Sequence, residues 1–109
     1  MVETSAYVKN VVKRFSLELK RMGIDCERVL LFGSQASGQA KEGSDIDLVV
    51  ISPAWAPYNE RERLELLGIA AARIFEPVQA LGTTPEEVAT HRISSFLERV
   101  LNEQAVVVA

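Results

Sequence analysis

The sequence predicts an α/β (α+β) fold: one domain over residues 1–109, with a mixed β-sheet of about four strands flanked by helices in the order α-β-β-α-β-α-β. Helical i, i+3, i+4 stripes alternate along the chain with short continuous apolar runs, which is the pattern of helices packed on a buried sheet. Asn59 with Glu62, and Thr84 with Glu87, have the spacing of capping boxes and so mark two helix starts. The composition, 48% apolar and 25% charged with 6 Gly and 4 Pro, is that of a chain able to build a core without disulfides.

In order, Val8, Val11, Val12, Phe15, Leu19 and Met22 form a helical stripe that stops at Gly23. Its outward face carries Lys9, Lys13, Arg14, Lys20 and Arg21, a solvated face or a surface for an acidic partner. Arg28 to Phe32, ended by Gly33, reads as a strand buried on both faces, and Ile46 to Ile51 as a second. Pro53 and Pro57 force a loop through Tyr58. The helix behind Asn59 is expected to bury Leu64, Leu67, Ala71 and either Ile74 or Phe75. Pro77 to Leu81 predicts a third strand. Beyond Thr84, with Pro85 at the first helical position, Ile93, Phe96, Leu97, Val100 and Leu101 make a last helix, and Ala105 to Val108 a closing strand.

The formal charge of −3 argues against a protein that holds nucleic acid mainly by covering phosphates. A lone cysteine, Cys26, has no internal disulfide partner, which predicts a reducing cytoplasmic setting. Met1 to Lys9 lacks the apolar centre of a signal peptide, and no apolar run approaches the ~20 residues of a membrane span, so no membrane partner is expected. With 1 His and 1 Cys, a zinc site of nitrogen and sulfur ligands is excluded within one chain, and a catalytic metal must be held by oxygen.

The chemistry-bearing stretch runs from Gly33 to Asp47. It lies between two buried strands, so its polar residues gather at one edge of the sheet. Gly33 lets the backbone turn tightly and approach a ligand. Ser34 has the position of an N-cap for a short helix, whose free amides and hydroxyl suit phosphate oxygens. Asp45 and Asp47, two apart on a strand, project from the same face. Two carboxylates so placed are costly unless a cation neutralises them or one takes a proton. Hard oxygen ligands beside a polyphosphate favour Mg²⁺.

Gly33-Ser34 followed by Asp45 and Asp47 entering a strand resembles the signature of the DNA polymerase β-like nucleotidyltransferase superfamily. The short chain, with its Thr84-Pro85-Glu86-Glu87 cap, apolar helix and final strand, is similar to the minimal (MNT) branch of that superfamily. The likeness runs from Val29 onward. It implies a single-domain nucleotidyltransferase fold and Mg²⁺-dependent transfer of a nucleoside monophosphate, commonly AMP from ATP, to an acceptor hydroxyl. It further implies one or two metal ions on Asp45 and Asp47, and phosphate binding by Gly33, Ser34 and Ser44. Minimal members often stand beside a helical protein of the HEPN class as the antitoxin of a two-gene system, and some add AMP to a tyrosine of that partner.

The chain departs from the pattern at two points. Active members carry a third carboxylate on a later strand, which helps hold metal and draws the acceptor proton; the corresponding position here is Gln79. An amide can ligate through oxygen but cannot act as a base. Glu76 is the nearest acid, and strand alternation points it to the face opposite Gln79 unless a bulge at Pro77 re-aims it. Ser37 stands where many relatives have an arginine beside the phosphates, and Lys41 is a candidate replacement.

His91 and Cys26 have no activating partner readable in the sequence, while Trp55 and Tyr58 are open to two readings, a cover for a base or partner and packing on the protein's own core. Two functions compete: an adenylyltransferase acting on a HEPN-type partner, and a catalytically weakened binding module that neutralises its partner by contact. Intact Asp45 and Asp47 favour the first and Gln79 the second. A transferase of the antibiotic-modifying kind is disfavoured, because the chain has no room for a separate acceptor-binding domain. The acceptor, the nucleotide preference and any homo-oligomer are left open.

Overall fold

The computed structural model describes residues 5–38, 40, 44–103 and 105–109. Helix α1, Ala6–Arg21, begins where the Ser5 side chain accepts the Val8 N–H, satisfying one of the amides that a helix start leaves unpaired. Its stripe is buried as the periodicity predicts, with Val8, Val11, Val12, Phe15 and Leu19 inside, and Gly23 at φ +90 lets the chain leave the helix. Strand β1, Arg28–Phe32, pairs antiparallel with β2, Ile46–Ile51. From β2 a short 3₁₀ turn, Pro53–Trp55, leads to helix α3, Glu60–Ile74, and then to β3, Val78–Thr83, which runs parallel to β2. Strand β4, Val106–Val107, pairs antiparallel with β1. The sheet is therefore mixed, in the order β3-β2-β1-β4.

Because both central strands are apolar on every residue but one or two, the sheet is covered on both faces. Val29, Leu31, Ile46, Leu48 and Val50 meet α1 and α3 on one side. Leu30, Val49 and Ile51 meet Leu97 and Val100 of helix α5, Ser95–Glu103, on the other. Trp55 belongs to the first layer: it is fully buried, and its indole N–H donates to the Val50 carbonyl at 3.2 Å. Tyr58 meets it edge to face. Of the two readings of this aromatic pair, packing on the core is the one realised for Trp55.

Several local expectations need correction. Residues 33–37 form a helix of their own, α2, Gly33–Ser37, whose N-cap is Phe32 rather than Ser34. The expected last helix is two, α4, Pro85–Ala89, and α5, separated by a turn in which His91 adopts φ 57. In α3 the capping box of Asn59 and Glu62 is formed, but Leu64 is exposed and Ala70 takes the buried position beside Leu67, Ala71 and Ile74. Leu64 instead lines a cleft beside Leu81 and Gly82 of β3. Phe75 caps α3 in the left-handed region and is 92% exposed. Phe96 is half-exposed, because α5 turns Leu97 and Val100 onto the sheet and Phe96, one residue before Leu97, faces partly outward. No described helix is long and apolar enough to cross a membrane.

Candidate functional site

The start of β2 and the start of β3 lie side by side because the two strands are parallel, with Asp47 opposite Gln79. Asp45, just before β2, shares the face of Asp47. The Gln79 amide nitrogen donates to Asp45 Oδ2 at 3.1 Å, so the amide turns its hydrogen toward the acidic pair. This one bond joins residues that the α3 crossover separates by 34 positions.

The β1 side of the site is set by glycine. Gly33, at φ +72, follows the last residue of β1, and a Cβ built on it would collide with the Asp47 carboxylate. Only a residue without a side chain lets α2 begin this close to the acid. Among the described residues no side-chain bond caps the start of α2, and Ser34 lies in its first turn. Ser37, at the far end, gives its hydroxyl to the Ser34 carbonyl at 3.3 Å. Ser44 is partly buried just before Asp45. Lys41, the candidate replacement cation, lies outside the described residues.

Partial burial pushes the Asp47 carboxyl above its ordinary value, and the charge of Asp45 adds to the shift. Burial therefore disfavours the Asp47 charge first, and the neighbouring carboxylate second. Glu76 is not brought to them. Its carboxylate accepts from the Tyr7 hydroxyl at 2.5 Å and from Arg14 at 2.6 Å, and these bonds hold its pKa below the usual carboxylate range. Arg14 also donates to the Ile74 carbonyl, so Glu76 fastens the entry to β3 onto α1. Among the described residues, no group of three or more His, Cys, Asp and Glu gathers as a metal cluster.

His91 does have an acidic partner, Glu98, at 2.8 Å, although its side chain is 75% exposed and the pair sits on the α4–α5 turn. Cys26 is partly buried, and burial raises its thiol pKa, which suits a packing role. At the other end of β3, a cleft of about 590 Å³ opens among Leu64, Leu81, Thr83, Glu87 and Arg92. Behind it Arg63 makes a two-point bond to Glu87, at 2.7 and 3.1 Å, and Glu87 also closes the capping box of α4.

Two aromatic residues beside the acids escape sequence reasoning. Phe32 lies directly opposite Asp47 across the β1–β2 pair, and Phe96 meets its ring edge to face with centroids 6.2 Å apart. The available signal was an aromatic residue at the strand end immediately before Gly33; the β1–β2 register that aligns it with Asp47 is not written locally.

The family model described as nucleotidyltransferase domain matches residues 12–103. Among solved structures, a chain from Sulfolobus solfataricus named as a candidate nucleotidyltransferase superposes with a TM-score of 0.64 at 19% identity, covering 98% of this chain and 87% of that one. A toxin–antitoxin structure with AMP-PNP gives 0.58 at 21% identity, covering 93% and 72%. A mutant of the toxin–antitoxin pair MntA–HpeT also gives 0.58, at 17% identity and the same coverage. No curated protein matches the chain.

Proposed function

The chain belongs to the nucleotidyltransferase-domain family, and from that premise we propose that it transfers AMP from ATP to an acceptor hydroxyl on a protein partner, as the antitoxin of a two-gene pair. The observation that carries this reading is the convergence of Asp45, Asp47 and Gln79 at one sheet edge, against a helix start that Gly33 brings into contact with Asp47. The toxin–antitoxin structures similar in fold support the partner, which we take to be a HEPN-type helical protein. The whole described domain serves one site in this reading, and the lone Cys26 fits a cytoplasmic setting.

The donor set fits a divalent cation of the Mg²⁺ kind. Mg²⁺ is commonly held by one or two carboxylates, with substrate phosphates and water completing its shell, so Asp45 and Asp47 suffice as protein ligands. A cation there would offset both the burial of the Asp47 charge and its repulsion by Asp45. When bound, Mg²⁺ supplies charge neutralisation at the phosphate undergoing transfer. The first-turn amides of α2, with the Ser34 and Ser44 hydroxyls, hold the phosphate oxygens, and Gly33 keeps that surface against Asp47. The acceptor oxygen bonds to the α-phosphorus as the bond to pyrophosphate breaks, and the acceptor proton leaves to solvent. Gln79 cannot take that proton. General-base help is typically worth ~10²–10⁴-fold, so the transfer is slower than in relatives with a third carboxylate.

That same amide favours a second reading, a binding module whose catalysis has weakened. Gln79 supplies Asp45 with a donor where a carboxylate would supply a base. Intact-mass analysis of the protein with its co-purifying partner, before and after Mg²⁺ and ATP, separates the two. A partner that gains AMP with the wild type and not with Asp45→Asn establishes the transferase. A stable partner of unchanged mass establishes neutralisation by contact.

A further inference from the structure

We propose that Phe32 and Phe96 form an aromatic platform for the base of the nucleoside triphosphate, so that α5 reads the nucleoside; this rests on the transferase reading above. Phe32 and Asp47 are a directly opposed antiparallel pair, so ring and carboxylate leave the same sheet face as nearest neighbours. A nucleotide whose phosphates share a cation with Asp45 and Asp47 carries its base one ribose away, within reach of that ring pair.

Phe96 is held but not consumed by the core. Leu97 and Val100 of the same helix make the contacts to Leu30, Val49 and Ile51, while Phe96 is 50% exposed. It touches Phe32 at an interplanar angle of 71°, an edge-to-face contact that fixes the ring and leaves aromatic surface open beside the acids. Trp55, the aromatic residue that the sequence singled out, is fully buried among α1 and α3 residues and has no surface to offer. Phe75 is more exposed but ends α3, which packs on the opposite face of the sheet. The aromatic surface on the acidic side is thus supplied by Phe96 and Phe32. Stacking draws on the π-face every base has, and the larger purine ring gains more from it than a pyrimidine.

The test compares the affinities of the full chain for ATP and for inorganic tripolyphosphate, each with Mg²⁺, in the wild type, Phe96→Ala, Phe96→Leu and Phe96→Tyr. The platform predicts that wild type prefers ATP, and that Ala and Leu each weaken ATP about tenfold while leaving tripolyphosphate unchanged. Tyr, which keeps the ring, retains wild-type affinity. The Leu variant preserves apolar bulk at the helix, so a loss seen with Leu as well as Ala reports the ring and not the packing. Equal affinity of the wild type for both ligands, or a loss shared by both ligands, overturns the platform and leaves the phosphate and cation site standing. A wild type that binds neither ligand overturns the transferase reading and the platform together.

Discussion

The carboxylate of Asp47 occupies the space that a Cβ on Gly33 would need. The two residues belong to different strands' ends, yet no side chain can be added at Gly33 without displacing that carboxylate. Gly33→Ala should therefore act twice. The left-handed φ of +72 costs an alanine about 1–2 kcal/mol, and the methyl must push Asp47 out of line. The expected result is a Tm lower by several degrees and loss of the stabilisation given by Mg²⁺ with ATP. A variant that keeps the full ligand-induced rise in Tm would show that the contact between α2 and Asp47 is dispensable.

Asp47 itself works against folding in the absence of a cation. Its pKa is raised in the folded state, so the fold binds that proton more tightly than the unfolded chain does, and ionisation at neutral pH costs stability. Asp47→Asn should raise the Tm of the ligand-free protein. It should also abolish the rise given by Mg²⁺ and ATP. Thermal melts with and without ligand read both effects; a variant less stable than wild type without ligand contradicts the account of Asp47 as a half-buried, destabilising charge.

Gln79→Glu replaces the donor to Asp45 with a third acid beside two others. Without metal it should lower the Tm, since like charges in one site are costly. With Mg²⁺ the loss should be recovered, and AMP transfer to the partner should rise by at least ~10²-fold if the new carboxylate serves as base. Transfer unchanged by the substitution would mean that position 79 is not where the acceptor proton leaves.

Acid stability should be governed at the opposite end of β3. Hydrogen bonds from Arg63, then from Thr84 and Thr83, hold the Glu87 pKa down to about 2 from its ordinary 4.5. A depressed carboxylate contributes its full stability above the unfolded value, and that contribution fades as pH falls below 4.5 and is gone once it passes about 2. Glu87→Gln should cost about 1.5–3 kcal/mol at neutral pH, the range for a hydrogen bond to a charged group. The gap between wild type and variant should narrow across that acid window in denaturant titrations. A gap independent of pH would assign the loss to packing.

The main helices and strands and their sequence along the chain were legible because period and punctuation agreed: the α1 stripe, two apolar strand runs and both capping boxes are all realised. The nearness of Gly33, Asp45 and Asp47 followed from alternation along a strand and from the turn after β1, whereas Gln79 was placed beside them only by the resemblance. What the sequence left hidden depended on where surfaces end. A helical stripe names the residues that face inward, but not where a cleft or a neighbouring ring interrupts the packing, so Leu64 and Phe96 read as core and are half-exposed. The break between α4 and α5 at His91 was equally hidden, since a positive φ at a histidine leaves no compositional mark. Glu76 could be separated from Gln79 by alternation, whereas its bonds to Tyr7 and Arg14 needed the packing of α1 against the entry to β3.

The parallel pairing of β2 with β3 has a consequence for the order in which the site comes into being. A chain emerging from its N-terminus delivers Asp45 and Asp47 with the β1–β2 pair, while Gln79 follows only after the whole of α3. Until then the acids stand on an edge strand, mutually repelling and without the amide that later bridges to Asp45. Closing that crossover is a non-local, entropically slow step. Nascent or truncated chains ending before β3 thus carry the acidic residues without the assembled pocket, and competence arrives as a late property of the whole domain.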